Sequence, residues 1–344
     1  MNKPKNILIV RTDRIGDVVL TLPLASILKK HLPDCKITFM VRDYTRPLVQ
    51  CVKDIDEIIV YEKNDSFFSL LNNIKNKSFD TCFVVHPKFI IALVVFLSGI
   101  KKRIGTGYRW YSFLFNKKIF EHRKYGTQHE LNHNVNLLKL IGIEEEINET
   151  NVSFNLQVDE NSKQNVLNKL KELNIDSNLP NVIIHPGSGG SAIDLPVSHF
   201  KEVVEQLAHE LDINIFLTGS LHEKNICDSI MNKKNTYNLA GMFDLKELSA
   251  LISQSQLMLA NSTGPIHIAA ALGINVIGFY PKIASCSVTR WGPYTVKRKI
   301  FTPTIDCNDC TREQCEKLNC MSSIKVSDIV NSAKEILNNQ EKIS

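Results

Sequence analysis

No stretch of this chain is long and apolar enough to cross a bilayer. The longest such run, Phe89 to Leu97, falls far short of the ~20 residues that a membrane-spanning helix needs. No secretory leader is expected, because Met1-Asn2-Lys3-Pro4-Lys5-Asn6 runs straight into the strand-like Ile7-Leu8-Ile9-Val10. These features set the expectation of a soluble cytoplasmic protein whose cysteines stay reduced. Two nucleotide motifs are also missing. No G-x-G-x-x-G follows the first strand, which disfavours a nicotinamide oxidoreductase. No Gly-Lys-Ser/Thr follows the glycine-rich loop at Pro186–Ser191, so that loop is not a Walker motif. Charge of one sign is only mildly in excess, with 41 Lys and Arg against 36 Asp and Glu, a net +5. That balance suits an anionic substrate or membrane surface without demanding nucleic acid.

What is present is a chain of 344 residues, 43% apolar, enough for two domains with real cores. In the first half, strand-like Ile7–Val10, Lys36–Val41, Glu57–Tyr61 and Thr81–Val85 alternate with helical patterns at Val18–Leu32, Ser66–Ile74 and Phe89–Leu97. Repeated βα units predict a parallel sheet with helices on both faces. Ligands then bind beyond the carboxyl ends of the strands, where Asp17 and His86 would lie. Between strand and helix runs Arg11-Thr12-Asp13-Arg14-Ile15-Gly16-Asp17, with Gly16 expected to turn the backbone tightly. Asp17 stands at the helix start, where a carboxylate is either a plain cap or a base. Pro23 is expected to kink the helix. Lys101–Lys124 carries eight Lys and Arg, Arg103 and Arg109 among them, against one acid, Glu121. Trp110, Tyr111, Phe113, Phe115 and Phe120 are interleaved, a mixture that docks on an anionic membrane, grips a phosphorylated glycolipid or forms a solvated basic edge over core aromatics. His129-Glu130 opens a helix to Ile141. Polar Glu144–Pro180 reads as the interdomain region, with a strand-like piece at Val152–Leu156 and a helix at Asp159–Leu173.

The second half repeats the scheme. Strand-like Val182–His185 is followed by Pro186-Gly187-Ser188-Gly189-Gly190-Ser191, whose glycines permit close backbone approach and whose serines donate, as a phosphate cradle requires. Helical Val197–Leu211, strand-like Asn214–Leu217 and the turn Thr218-Gly219-Ser220 lead to Glu223, placed to accept ribose hydroxyls or simply to favour a helix start. A short strand near Tyr237–Leu239, the turn Ala240-Gly241-Met242-Phe243 and a helix capped by Asp244 come next, and Asn275–Tyr280 closes the sheet. The chain is organised around Asn261–Leu272. Apolar Leu257–Ala260 feeds Ser262, Thr263, Gly264 and Pro265, and then an alanine-rich helix carrying His267 one turn in. Such a turn aims backbone N–H groups and the positive end of a helix dipole at one spot, which attracts a phosphate or diphosphate. Near the C-terminus, Cys307, Cys310, Cys315 and Cys320 have a spacing that binds zinc as four thiolates or serves as reduced structural cysteines. Val326–Leu337 is a final amphipathic helix.

Ile7–Pro23, Arg103-Ile104-Gly105, His129-Glu130, His185–Gly190, Asn261–His267 and Arg290-Trp291-Gly292-Pro293 together resemble glycosyltransferase family 9, the family of the ADP-heptose:lipopolysaccharide heptosyltransferases. The similarity spans nearly the whole chain in order. It implies an α/β fold of the GT-B type: two facing, doubly wound Rossmann-like domains with the active site in the cleft between them. Expected boundaries are an acceptor-binding domain over 1–160, a nucleotide-sugar domain over 175–322, and a C-terminal helix at 323–344 packing back on the first domain. The implied activity is inverting transfer of heptose or a related sugar from an ADP-sugar to a lipopolysaccharide-core or other lipid-linked acceptor, at the cytoplasmic face of the inner membrane. No cofactor or required metal is implied, and no nucleic-acid partner. Asp17 matches the general base. Ser188, Gly189, Glu223, Met242, Ser262, Thr263, Gly264 and His267 match donor-binding positions, and Arg11, Gly16, Arg103 and Arg109 acceptor-binding ones. Two departures leave the donor sugar open. Ile193 stands where the family places the basic residue that grips the donor phosphates, with Arg290 or Lys282 as candidate substitutes, and Ser262 stands where heptosyltransferases often carry Asp. The alternatives are a catalytically weak nucleotide-sugar-binding protein on the same fold, or a family member with another donor.

Overall fold

The computed structural model describes residues 3–232, 234–305 and 310–341. The chain divides into two compact units, Met1–Arg123 with Gln128–Gln157, and Lys124–Thr127 with Val158–Ser344. In the first, strands β1 (Asn6–Val10), β2 (Lys36–Val41), β3 (Glu57–Val60), β4 (Thr81–Val84), β5 (Lys102–Thr106) and β6 (Lys117–Ile119) alternate with helices α1 (Ile15–Val19), α2 (Pro23–His31), α3 (Arg46–Val49), α4 (Phe67–Asn76), α5 (Phe89–Leu97) and α6 (Glu130–Val135). The strands form one sheet in the order β3-β2-β1-β4-β5-β6, and every neighbouring pair is parallel. Central β1 is apolar throughout Ile7–Val10 and fully buried, as a strand covered on both faces must be.

The second unit repeats this order. Strands β7 (Asn181–His185), β8 (Asn214–Leu217), β9 (Thr236–Asn238), β10 (Leu257–Asn261), β11 (Asn275–Phe279) and β12 (Arg298–Phe301) are accompanied by α7 (Glu160–Glu172), α8 (Val197–Glu210), α9 (Lys224–Ile230), α10 (Leu245–Ser253), α11 (Gly264–Ala271), α12 (Val288–Trp291), α13 (Arg312–Leu318) and α14 (Val326–Glu341). They form a second all-parallel sheet, β12-β11-β10-β7-β8-β9. Each sheet has its chain reversal beside its first strand, between β1 and β4 and between β7 and β10. In doubly wound sheets that switch point is where ligands bind.

Several expectations are corrected. The helix foreseen over Val18–Leu32 is two helices, because Pro23 occupies the first turn of α2 and α1 has already ended. Gly16 lies inside α1 and is buried, so it serves helix packing rather than a turn. Val152–Leu156 contributes a single antiparallel bridge, Val52 to Leu156. The helix assigned to the interdomain region, α7, belongs to the second unit: Lys169 Nζ donates to Glu247 Oε1 of α10 at 2.7 Å. The terminal helix, expected to pack on the first domain, is built into the second unit. Ile329, Val330, Ala333 and Leu337 of α14 enter the second unit's core beside Val203, Val204 and Leu207 of α8.

Candidate functional site

In the first unit, the loop leaving β1 carries Arg11 inward, and this arginine is only 3% exposed. A buried guanidinium must have partners. Its Nε donates to Asp13 Oδ1 at 2.8 Å, it is paired with Asp17, and Nη1 lies 3.5 Å from Glu130 Oε1. Arg123 is paired with the same Glu130 and donates to Asn134 Oδ1 at 3.0 Å. Asn134 Nδ2 donates in turn to the Leu20 carbonyl at 3.0 Å and Thr21 Oγ1 at 3.2 Å, and Thr21 Oγ1 donates to the Asp17 carbonyl at 2.8 Å. The turn bearing Asp17 is therefore braced from α6. From the end of β4, His86 Nδ1 reaches Asp13 Oδ2 at 2.9 Å.

Two guanidiniums face three carboxylates here, so the charges cannot all cancel. Burial works to raise the Asp13 carboxyl, but Arg11 and the hydrogen bond from His86 overrule it and hold it down at about 2. Asp17 goes the other way. Burial lifts it against the pull of Arg11, and the negative neighbours Asp13 and Glu130 add to the lift, bringing it to about 6. A carboxylate ionised at neutral pH, yet with raised proton affinity, is suited to accept a proton. Asp17 is not a helix cap, since Arg14 holds that position.

In the second unit, the loops after β7 and β10 are tied together over the switch point. Ser191 Oγ donates to the carbonyls of Ser188 at 2.6 Å and Ser262 at 2.9 Å. Fully buried Asn261 donates from Nδ2 to the Pro186 carbonyl at 2.6 Å and accepts from the Leu195 N–H at 2.9 Å. Gly189 and Gly190 adopt φ of +56° and +72°, and a side chain at either would meet open space. The need for glycine there is conformational and leaves the backbone accessible. Thr263 precedes α11 in extended conformation without a side-chain cap bond, and Gly264 and Pro265 form its first turn. Its first N–H groups are not capped by that hydroxyl, and a helix start of this kind favours an anion. His267, one turn on, is buried.

Glu223 folds back over this loop. Its Oε2 accepts from the N–H of Ser220 at 2.7 Å and from its hydroxyl at 2.8 Å, a capping box. A Cβ on Gly187 would lie 1.8 Å from Glu223 Oε1, so only glycine admits the carboxylate. Burial works to raise Glu223, yet the Ser220 bonds, His185 and the Gly189 N–H prevail and hold it below the usual carboxylate range. His185 is pushed down to about 4 by burial and shares a 2.9 Å hydrogen bond from Nδ1 with Thr218 Oγ1. Met242 is exposed, and the adjoining Phe243 ring carries Lys169 Nζ 5.2 Å from its centroid.

Ile193 is a core residue, 8% exposed and packed in the second unit's apolar cluster. A guanidinium that does touch the loop is that of Arg312 in α13, which sequence reasoning missed. Arg312 Nη1 donates to the Gly190 carbonyl at 3.2 Å and Nη2 to the Ala192 carbonyl at 3.1 Å. The sequence signal for that helix start was the Thr311–Gln314 capping box. Lys282 Nζ instead donates to the Ile305 carbonyl at 2.9 Å, and Arg290 lies over the Trp291 ring. Asp194, also missed, follows Ile193, and its carboxyl is lifted to about 6 chiefly by burial. Arg103 is engaged locally: Nε donates to the Leu114 carbonyl at 2.9 Å and Nη1 to the Ile100 carbonyl at 2.6 Å. Arg109 is exposed in the loop after β5. Cys315 and Cys320 are buried in the second unit's core, with Cys310 packed against it. Cys307 lies outside the described residues, and among the described residues no group of three or more His, Cys, Asp or Glu is placed to hold a metal.

The fold matches solved structures over nearly its whole length. A glycosyl transferase family 9 protein from Veillonella parvula superimposes with a TM-score of 0.86 at 18% identity, covering 98% of this chain and 99% of that one. The ADP-heptose lps heptosyltransferase II of E. coli superimposes with a TM-score of 0.81 at 21% identity, again covering 98% and 99%. The two doubly wound units are thus a GT-B fold. Among sequence relatives, the lipopolysaccharide core heptosyltransferase OpsX of Haemophilus influenzae is 27% identical over 290 residues, 80% of this chain and 79% of that protein. The family profile described as glycosyltransferase family 9 (heptosyltransferase) matches residues 67–321. With the buried acid at one switch point and the glycine-serine loops at the other, this match across most of the chain identifies it as a member of glycosyltransferase family 9, an enzyme of the heptosyltransferase family.

Proposed function

We propose that this enzyme transfers heptose, or a closely related sugar, from an ADP-activated donor to a lipid-linked saccharide such as a lipopolysaccharide core, working at the inner face of the cytoplasmic membrane. The first unit holds the acceptor through Arg11 and the start of α1 at Gly16. Asp17 takes the proton of the acceptor hydroxyl as its oxygen bonds to the anomeric carbon of the donor. The bond from that carbon to the diphosphate oxygen breaks, its electrons leave with ADP, and configuration inverts. In the second unit, Ser188, Gly189, Ser262, Thr263, Gly264 and His267 receive the diphosphate, where fixed N–H groups and the start of α11 offset its growing charge. Glu223 and Met242 take the ribose and adenine.

The observation that carries this reading is the Asp17 carboxyl, braced by Arg11 yet lifted to about 6 by burial. Replacing Asp17 with Ala is expected to lower kcat by about 10²–10⁴-fold while leaving the Kd for ADP nearly unchanged. ADP release from ADP-heptose with a lipid-linked acceptor measures the first, and calorimetry the second. Turnover at the unmutated rate removes Asp17 from the mechanism. A second reading, a donor other than ADP-heptose, is favoured by Ile193, an apolar residue where the resemblance places a cation.

A further inference from the structure

Helix α5, Phe89 to Leu97, contains no polar residue. Its inner positions Ile91, Ala92, Val94 and Val95 are fully buried against the sheet, as expected. Its outer positions are apolar as well: Phe89, Ile90, Phe96 and Leu97 are all exposed, and their spacing puts them on one stripe of the helix. A helix covering a sheet in water normally presents polar residues there. The loop after β5 extends the same surface. Trp110 is 72% exposed and Phe113 67%, and the Trp110 and Phe89 rings lie 4.8 Å apart between centroids. Arg103 stacks on Phe96 at 5.2 Å and joins the stripe to the strand beside it. At edge strand β6, Phe120 is exposed and packs on Tyr108 at 5.6 Å.

The stretch of chain that builds this surface carries charge of one sign. Between Asp80 and Glu121 the sequence contains no acidic residue and seven Lys and Arg. Lysines on an edge strand such as β6 deter sheet-to-sheet pairing, which accounts for Lys117 and Lys118 but not for an apolar helix stripe with exposed Trp and Phe beside it. Aromatics standing out of the fold, on a stretch of chain rich in cations and without acids, match the interface of an anionic bilayer, where the rings enter the headgroup layer and the cations meet lipid phosphates.

We infer that the α5 stripe and the Tyr108–Phe120 segment form the face by which the first unit docks on an anionic phospholipid surface. The occupant is the bilayer itself, not the saccharide, so the inference deepens the lipid-linked-acceptor reading and rests on it only for its purpose. The test is co-sedimentation of the full chain with vesicles of equal parts phosphatidylglycerol and phosphatidylcholine, and with phosphatidylcholine alone. Binding is expected to the first, weakening with salt, and several-fold less to the second. The double variants Trp110→Ser with Phe113→Ser, and Lys101→Glu with Lys117→Glu, are each expected to partition about tenfold or more weakly. Unchanged melting temperatures and unchanged transfer to a delipidated, water-soluble acceptor establish that both variants are folded and catalytically intact. Wild-type binding in both variants, or no binding to the anionic vesicles at low salt, overturns the inference. So does a self-associated form in sedimentation that the Trp110/Phe113 variant dissolves, since the face would then be covered by a second copy. Vesicle binding without any sugar transfer leaves the docking face standing and removes the proposed reaction instead.

Discussion

At the scale of single residues, the proton affinity of Asp17 makes a prediction about pH. If Asp17 must be ionised to act, kcat/KM falls as pH drops through about 6, the value to which burial raises it. An ordinary aspartate would put that limb near pH 4. A profile measured from pH 5 to 8 distinguishes the two, and activity flat down to pH 5 excludes Asp17 as the titrating base. Gly187 makes a second prediction. With 1.8 Å between its would-be Cβ and Glu223 Oε1, Gly187→Ala must displace the Glu223 carboxylate. ADP binding by calorimetry is expected to weaken by roughly tenfold, the size of one lost charged hydrogen bond, with kcat at saturating donor less affected. Asp17, Ser188 and Thr263 stood out as candidates in the sequence because each follows an apolar run through a turn of small or polar residues, a local pattern. Arg123, Glu130 and Arg312 act through partners up to 122 residues away in sequence, and no window along the chain reveals such a pairing.

At the scale of elements, the loop from Ser188 to Leu195 changes the meaning of Ile193. Read as a sequence, it is a missing cation; in the fold, its side chain belongs to the core. Ile193→Lys therefore buries an unpaired ammonium rather than restoring a phosphate contact. It is expected to cost on the order of 2–4 kcal/mol, seen as a lower midpoint in urea, with no gain in ADP affinity. Deleting α14 before Val326 is expected to melt the second unit and abolish ADP binding, because Ile329, Val330 and Leu337 are core residues there. Normal ADP binding by the truncated chain would deny the helix that role. The central strands were legible because β1, β7 and β10 each carry an unbroken apolar run at their centre or along most of their length. The outer strands β5, β6 and β12 were not, since Lys102, Arg103, Lys117, Lys118, Arg298 and Lys299 give them the polarity of loops. The break between α1 and α2 was read as a kink in one helix because proline at a helix start and proline inside a helix look alike until the preceding turn is known.

At the scale of the whole molecule, nucleotide binding should register in global stability. ADP at about 100 times its Kd is expected to add about 2.7 kcal/mol, and a thermal-shift comparison of ADP-, GDP- and UDP-sugars should single out the adenine compounds. Equal shifts from all three would remove the adenine preference from the reading. The two-domain, doubly wound plan was legible in the repeated alternation of strand and helix, whereas the ownership of α7 and α14 was not, because amphipathicity says that a helix packs but not on which sheet. That plan also has a kinetic consequence. No strand in either sheet pairs antiparallel with its neighbour, so no hairpin can seed folding, and β10 must find β7 across a sequence separation of 75 (Leu257 opposite Val182). Contacts so distant along the chain form slowly. A nascent polypeptide therefore leaves the ribosome with its stickiest strands unsatisfied on one side, and refolding from denaturant becomes a race against aggregation that dilution and chaperones win.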